Sequence, residues 1–301
     1  VVAGPSTRKP STGSTDKSST GKSSVDGTVD PGLFGPESVT WRVHADPTML
    51  LAGVRALLLQ ALHPLAMAGV AEHSSFRQDP WGRLVRTAEY LGAVTYGTTE
   101  EAQAALDRVR AVHVVVRGTD PHTGLGYRAD DPELLRWVHC CEVDSFLGVT
   151  RRAGLRISAA DADRYLTEQQ LLPRLLGVPE SLPVPGTVSE LAGYFDEVRP
   201  ALQLTPAARD AARFALMPPL PGWVALLTPA RPTWAAVTCT AAGLLPPWAR
   251  RMYGLPVPPG AELAATVAAR SWRTGLVLLP GVLREGPYLK AARARFGADA
   301  P

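Results

Sequence analysis

The chain carries one stretch, TMLLAGVRALLLQALHPLAMAGVAEH from Thr48 to His73, that is apolar nearly all round a helical wheel. Such a stretch has two outlets: the core helix of a large all-α domain, or a membrane span. Arg55, Gln60 and His63 interrupt it, and Pro64 should kink it. Polar groups at bilayer depth are costly. The expectation is therefore a buried core helix, with no stable membrane span. Asp46 stands as its N-cap, with Pro47 at the first helical position.

The same start signal recurs. Asp79-Pro80 opens a helix through Trp81 to Leu91, and Asp131-Pro132 opens ELLRWVHCCEVDSFLGVTRRAG. Further on, ISAADADRYLTEQQLLPRLLGVP reads as one amphipathic helix stopping before Pro179. Thr187 to Glu190 has the capping-box spacing, and Thr205 opens another helix. No alternating pattern of useful length suggests a strand. The fold expected is all-α, a single multi-helix globular domain over residues 31–301. Residues 1–30 are rich in Ser, Thr, Gly and Lys and cannot bury enough surface to offset chain entropy, so a disordered tail is expected there. GKSS at Gly21 to Ser24 lacks the upstream glycine and flanking strand of a phosphate loop.

Several function classes fall away. The net charge is +3 and the basic residues are scattered, so nucleic acid is not an expected partner. Apolar residues make up 46% of the chain, enough for a sizeable core. The three cysteines, Cys140, Cys141 and Cys239, have no zinc spacing; they point to a reducing compartment and a cytoplasmic protein. There is no GxSxG for a serine nucleophile and no HExxH for zinc.

What remains is a set of single histidines and arginines on apolar helices. In TTEEAQAALDRVRAVHVVVRG, Ala102, Ala105, Leu106, Val109, Val112, His113 and Val116 share one face. A histidine there must be hydrogen-bonded within a core or must bind something. Arg83, Arg86 and Thr87 line one face of the preceding helix, and a guanidinium pair suits a carboxylate or phosphate. His139 has Glu142 three residues on, close enough to orient its ring. His63 precedes the kink. Histidines on separate helices, with arginines to hold propionates, are one way to build a haem pocket; ordinary core histidines are the other reading.

The stretch from about Phe34 to Arg152 resembles the catalytic domain shared by mpaB-type oxygenases and the rubber oxygenases (latex-clearing proteins). The pieces carrying the likeness are TWRVHADP, LLQALHPLAMAGVAEHS, DPWGRLVRTAEYLGAVTYG, VRAVHVVVRG and YRADDPELLRWVHCCEVDSFL, with WARRMYGLPVPPG and LLPGVLR near the end. The resemblance implies an all-helical fold around haem b and a haem-dependent oxidoreductase. Its substrate would be small, apolar or natural-product-like, with dioxygen or peroxide as oxidant. A non-catalytic haem- or lipid-binding protein is the alternative.

Carried over, the resemblance makes His113 the axial iron ligand, with His139 as competitor, and sets Arg83 and Thr87 at the haem. Arg86 falls where rubber oxygenases have a lysine. A guanidinium is a poor iron ligand, so His63 and His73 join Arg86 as candidates for the distal, catalytic side. Arg83, Arg86 and Arg42 would neutralise the propionates. The glutamate used as a base by rubber oxygenases has no certain counterpart; Met67 and Ala68 occupy that segment, and Glu72 is the nearest carboxylate.

Overall fold

The computed structural model describes residues 29–74, 77–218, 228–255 and 258–297. The expected tail over 1–30 lies almost wholly outside them. The chain is helical as expected: α1 (Val39–His44), α2 (Met49–Gln60), α3 (Pro64–His73), α4 (Pro80–Tyr96), α5 (Thr99–Val115), α6 (Pro132–Arg152), α7 (Ala159–Gln169), α8 (Leu171–Leu176), α9 (Val188–Val198) and α10 (Pro206–Leu216). Five more follow: α11 (Ala230–Gly243), α12 (Pro247–Met252), α13 (Ala261–Val277), α14 (Gly281–Arg284) and α15 (Pro287–Phe296). Between α5 and α6 lies an antiparallel ribbon of two short strands, β1 (Arg117–Thr119) and β2 (Gly126–Arg128), with Gly118 opposite Tyr127. No strand was expected here, because three residues cannot show an alternation.

The centre of the molecule is the packing of α2 on α6. Helix α6 starts where Asp131 accepts a hydrogen bond from Glu133 N at 2.9 Å, with Pro132 following. It then buries Trp137, Cys140, Cys141, Val143, Phe146 and Val149. Arg55 from α2 enters this core and is satisfied there: Nε donates to Leu244 O at 2.9 Å and Nη1 to Ser145 Oγ at 2.7 Å. Asp144 Oδ2 lies 2.8 Å from the same Nη1 but makes no hydrogen bond, so it acts as a counter-charge.

Four expectations about element boundaries change. The apolar run is two helices, not one kinked helix: α2 and α3 meet at 108°. Asp46 does not cap α2 directly. Its Oδ1 accepts from the N and Oγ1 of Thr48, while Oδ2 pairs with Arg273 at 2.6 Å. The helix after Asp79-Pro80 runs on to Tyr96, because Ala93, Val94 and Tyr96 are buried and extend its apolar face. The expected single helix before Pro179 is α7 and α8, broken at Gln170, with Gly177 ending α8 in the left-handed conformation.

Helices α4 and α5 form an antiparallel hairpin linked by Gly97 and Thr98 alone. A Cβ on Gly97 would sit 2.4 Å from Ala93 O, so only glycine permits this link. Thr98 and Glu101 complete a capping box at the start of α5, a device worth about 1 kcal/mol.

Candidate functional site

The hairpin sets the geometry of the site. Arg83 lies in the first turn of α4 and His113 in the last turn of α5, so antiparallel pairing brings both to its open end. The start of α5 is closed: Ala102, Ala105 and Leu106 are at most 2% exposed. Its end is open: Val112 is 56%, Val114 52% and Val115 71% exposed. The expected apolar face is therefore closed in the first half of the helix, while in the second Val109 and His113 are half-buried, Val116 packs against the Ala68–Tyr127–Leu134 cluster and Val112 is exposed. Val85 on α4 is also exposed.

Within this apolar end His113 is half-buried, and its Nδ1 is a buried atom without a hydrogen-bond partner. Burial lowers the pKa of the imidazole, partly countered by the charge of Asp130, which leaves the ring neutral at ordinary pH. His63 repeats the pattern in the bend between α2 and α3. Its Nδ1 is buried and unpartnered, burial lowers its pKa, and Asp131 acts against that shift. Its ring lies 5.9 Å from that of Trp137. Adjacent carboxylates thus face the two rings.

Arg83 donates to Ser74 Oγ just past α3, which ties the hairpin to α3. Burial, then the charge of Arg86, lowers its pKa. Thr87 is exposed, and its hydroxyl donates to Arg83 O at 3.0 Å. Arg86 is exposed and paired with Asp79 at 3.1 Å. His73 ends α3 with its Nε2 3.8 Å from Glu72 Oε2, and the Tyr127 hydroxyl donates to that same oxygen. The ribbon approaches α3 so closely here that a Cβ on Gly118 would lie 2.6 Å from Tyr127 Oη and 2.7 Å from Glu72 Oε2. Beside it a cleft of about 530 Å³ is lined by Arg117, Gly118, Thr119, Gly126, Tyr127, Arg128 and Asp131.

Two expected members go elsewhere. Arg42 turns to α7, where Nη1 meets Asp161 at 3.4 Å and Nη2 donates to Arg156 O at 3.1 Å. Those partners account for it without a propionate. His139 is buried on α6, two turns beyond Asp131, with its pKa pushed down to about 3 by burial. Its expected partner Glu142 instead accepts from Gln60 Nε2 at 3.3 Å. His44, also pushed down to about 3 by burial, meets Thr95 Oγ1 at 2.9 Å and Tyr165 Oη at 3.1 Å, as a core histidine does.

The sequence reading missed two acidic groups. Glu142 is surrounded by α2, α4 and α7 side chains and burial raises its pKa to about 7. Only its position one turn after His139 hinted at a role. Asp130 stands beside the helix cap Asp131, and the cap drew all the attention.

Residues 41–274 match the family model described as "ER-bound oxygenase mpaB/B'/Rubber oxygenase, catalytic domain". The match spans well over half of the chain, and the chain belongs to this family. No curated protein and no solved structure matches it. Membership brings haem b as cofactor and a haem-dependent oxygenase or oxidoreductase activity on an apolar substrate. The expected cytoplasmic location does not stand, since the family is described as ER-bound. In addition, α2 and α3 together pass a length-and-composition test for a membrane span, although among the described residues no single helix does.

The side chains present fit a haem. An imidazole has one sealed nitrogen and sits among exposed valines, beside a half-buried arginine able to meet a carboxylate. Among the described residues no group of three or more His, Cys, Asp or Glu is arranged for a bare metal ion.

Proposed function

We propose that His113 would ligate the iron of haem b at the open end of the α4–α5 hairpin. In this reading the enzyme oxidises a small apolar or natural-product-like substrate with dioxygen or peroxide. The observation that carries the assignment is the contrast within α5: one buried, unpartnered ring nitrogen in the helix end where Val112, Val114 and Val115 are exposed. Apolar surface of this kind favours cover by about 25 cal/mol per Å², and a porphyrin face is apolar.

The chain's own residues divide the work. Val112, Val115 and Val85 exclude water from the ring face. Arg83 meets a propionate with its guanidinium fork, and Thr87 stands one turn further along α4. Arg86 carries a delocalised guanidinium with no lone pair for iron. It serves as a second cation at the rim, balanced by Asp79. His63, neutral because burial lowers its pKa, is the leading candidate to hold or pass a proton on the distal side; His73 is more exposed and next in line. Glu142 changes protonation near neutral pH. When bound, the haem iron supplies the activation of the oxidant.

Reconstitution tests the assignment. The wild-type chain should take up haem b with a Soret band. His113→Ala should weaken binding by roughly 100-fold, at the upper end of what disturbed ligation costs, and His122→Ala, in the ribbon turn, should leave it unchanged. A His113→Ala protein with undiminished affinity and spectrum would overturn it.

A further inference from the structure

The connection between β2 and α6 holds Asp130 against the end of α5. Ala129 N donates to Val116 O at 2.9 Å, and Val116 is the residue that ends the His113 helix. Asp130 Oδ1 is buried and makes no hydrogen bond; His113 Nδ1 is buried and makes none either. The charge of the first acts on the ring of the second. Arg128 Nε lies 3.5 Å from Asp130 Oδ1, a charge contact without a hydrogen bond. A buried polar group left unmet costs about 1–3 kcal/mol, so two unmet polar atoms brought to the same end of α5 are a mismatch that a hydrogen bond between them would remove. Other acceptors near the ring are engaged: Val116 O takes Ala129 N, and Val114 O takes the Arg117 guanidinium. Asp131 has separate work as the cap of α6.

We propose that Asp130 is the positioning residue of the haem site: its carboxylate accepts the Nδ1–H of His113, fixes that tautomer and aims the Nε2 lone pair at the iron. This rests on His113 being the axial ligand. A carboxylate partner also raises the basicity of a ligating imidazole, so Asp130 sets the electron density that His113 delivers. The exposed Arg128 stays at charge-contact distance from the half-buried Asp130 and leaves its Oδ1 free to accept a hydrogen bond.

The test uses the full chain reconstituted with haem b. Asp130→Asn keeps the shape and an acceptor oxygen but loses the charge. It should lower haem affinity about 10-fold, and Asp130→Ala about 10- to 100-fold, the range for such partners. Asp130→Asn should also shift the reduction potential upward and lower the iron–histidine stretching frequency of the ferrous protein. His122→Ala, in the ribbon turn, should move neither. If Asp130→Ala fails to fold, as thermal melting of the apoprotein would reveal, the Asn variant carries the test alone. A wild-type potential and stretching frequency in Asp130→Asn overturn the proposal. Retained haem binding by His113→Ala would instead refute the ligand assignment beneath it, so the two failures are distinguishable.

Discussion

The α2–α6 core and the open end of the α4–α5 hairpin use similar residues to opposite ends. In the core, Arg55 is a charge in an apolar run, and the chain supplies it with a carbonyl, a hydroxyl and a carboxylate. At the hairpin end, His113 is a polar ring in an apolar run, and the chain leaves its Nδ1 without a hydrogen bond and its neighbouring valines uncovered. His44 and His63 repeat the contrast, the first bonded on both ring nitrogens and the second with Nδ1 unpartnered. Burial alone does not mark a functional residue. An unmet buried atom alone does not either, since Trp41 Nε1 and Asp144 Oδ2 in the core are also unmet; at His113 the unmet atom coincides with uncovered apolar surface.

The comparison can be broken most forcefully at Arg55. Arg55→Ala leaves Asp144 without its counter-charge and should cost about 3–5 kcal/mol in urea unfolding of the apoprotein; a loss below 1 kcal/mol would deny that the core depends on this matching. Within α5, Leu106→Ala should cost about 2–5 kcal/mol, since Leu106 is fully buried. Val112→Ala should stay within about 0.5 kcal/mol in the apoprotein yet weaken haem binding. Equal stability losses at the two positions would erase the distinction between the halves of the helix.

The smallest effect is a pH dependence of apoprotein stability. His44 and His139 stay unprotonated in the folded chain down to about pH 3, whereas the unfolded chain protonates them below 6.5. Each therefore makes stability rise with pH between those values. Glu142 keeps its proton up to about 7 when folded but loses it above 4.5 when unfolded, so it makes stability fall as pH rises through that window. Between 4.5 and 6.5 two histidines oppose one glutamate, and the urea midpoint should rise. Glu142→Gln should steepen the rise; a midpoint that falls toward pH 6.5 would show the assignments to be reversed.

The helices were legible because their signals are local. Asp79-Pro80, Asp131-Pro132, Thr187 and Thr205 each announce a helix start that the structure bears out. At Thr187 the capping is half of the expected box: Glu190 N donates to Thr187 Oγ1, but the Glu190 carboxylate accepts from Gly186 N. The sharpness of the bend at His63 was not legible, because a proline predicts a kink and only packing sets its angle. His113, Arg83 and Thr87 could be named from motifs. Asp130 could not, and Glu142 was legible only beside His139, since the groups each one acts with, His113 and Gln60, lie on other elements. Arg42 shows the converse: its sequence neighbourhood suggested the site, and an ion pair with α7 claims it.

The 108° bend has a consequence for how this chain can meet a membrane. At 1.5 Å per residue α2 and α3 are about 18 and 15 Å long, each short of a hydrocarbon layer of about 30 Å. Straightened into one rod, Met49 to His73 would reach about 37 Å. Straightening would pull Leu51, Leu58 and Leu59 away from α6 and dissolve the corner that holds His63. A folded copy of the oxygenase domain therefore cannot hold α2–α3 as a straight span; what it offers a lipid surface is the bent pair as it stands or another part of its surface or chain.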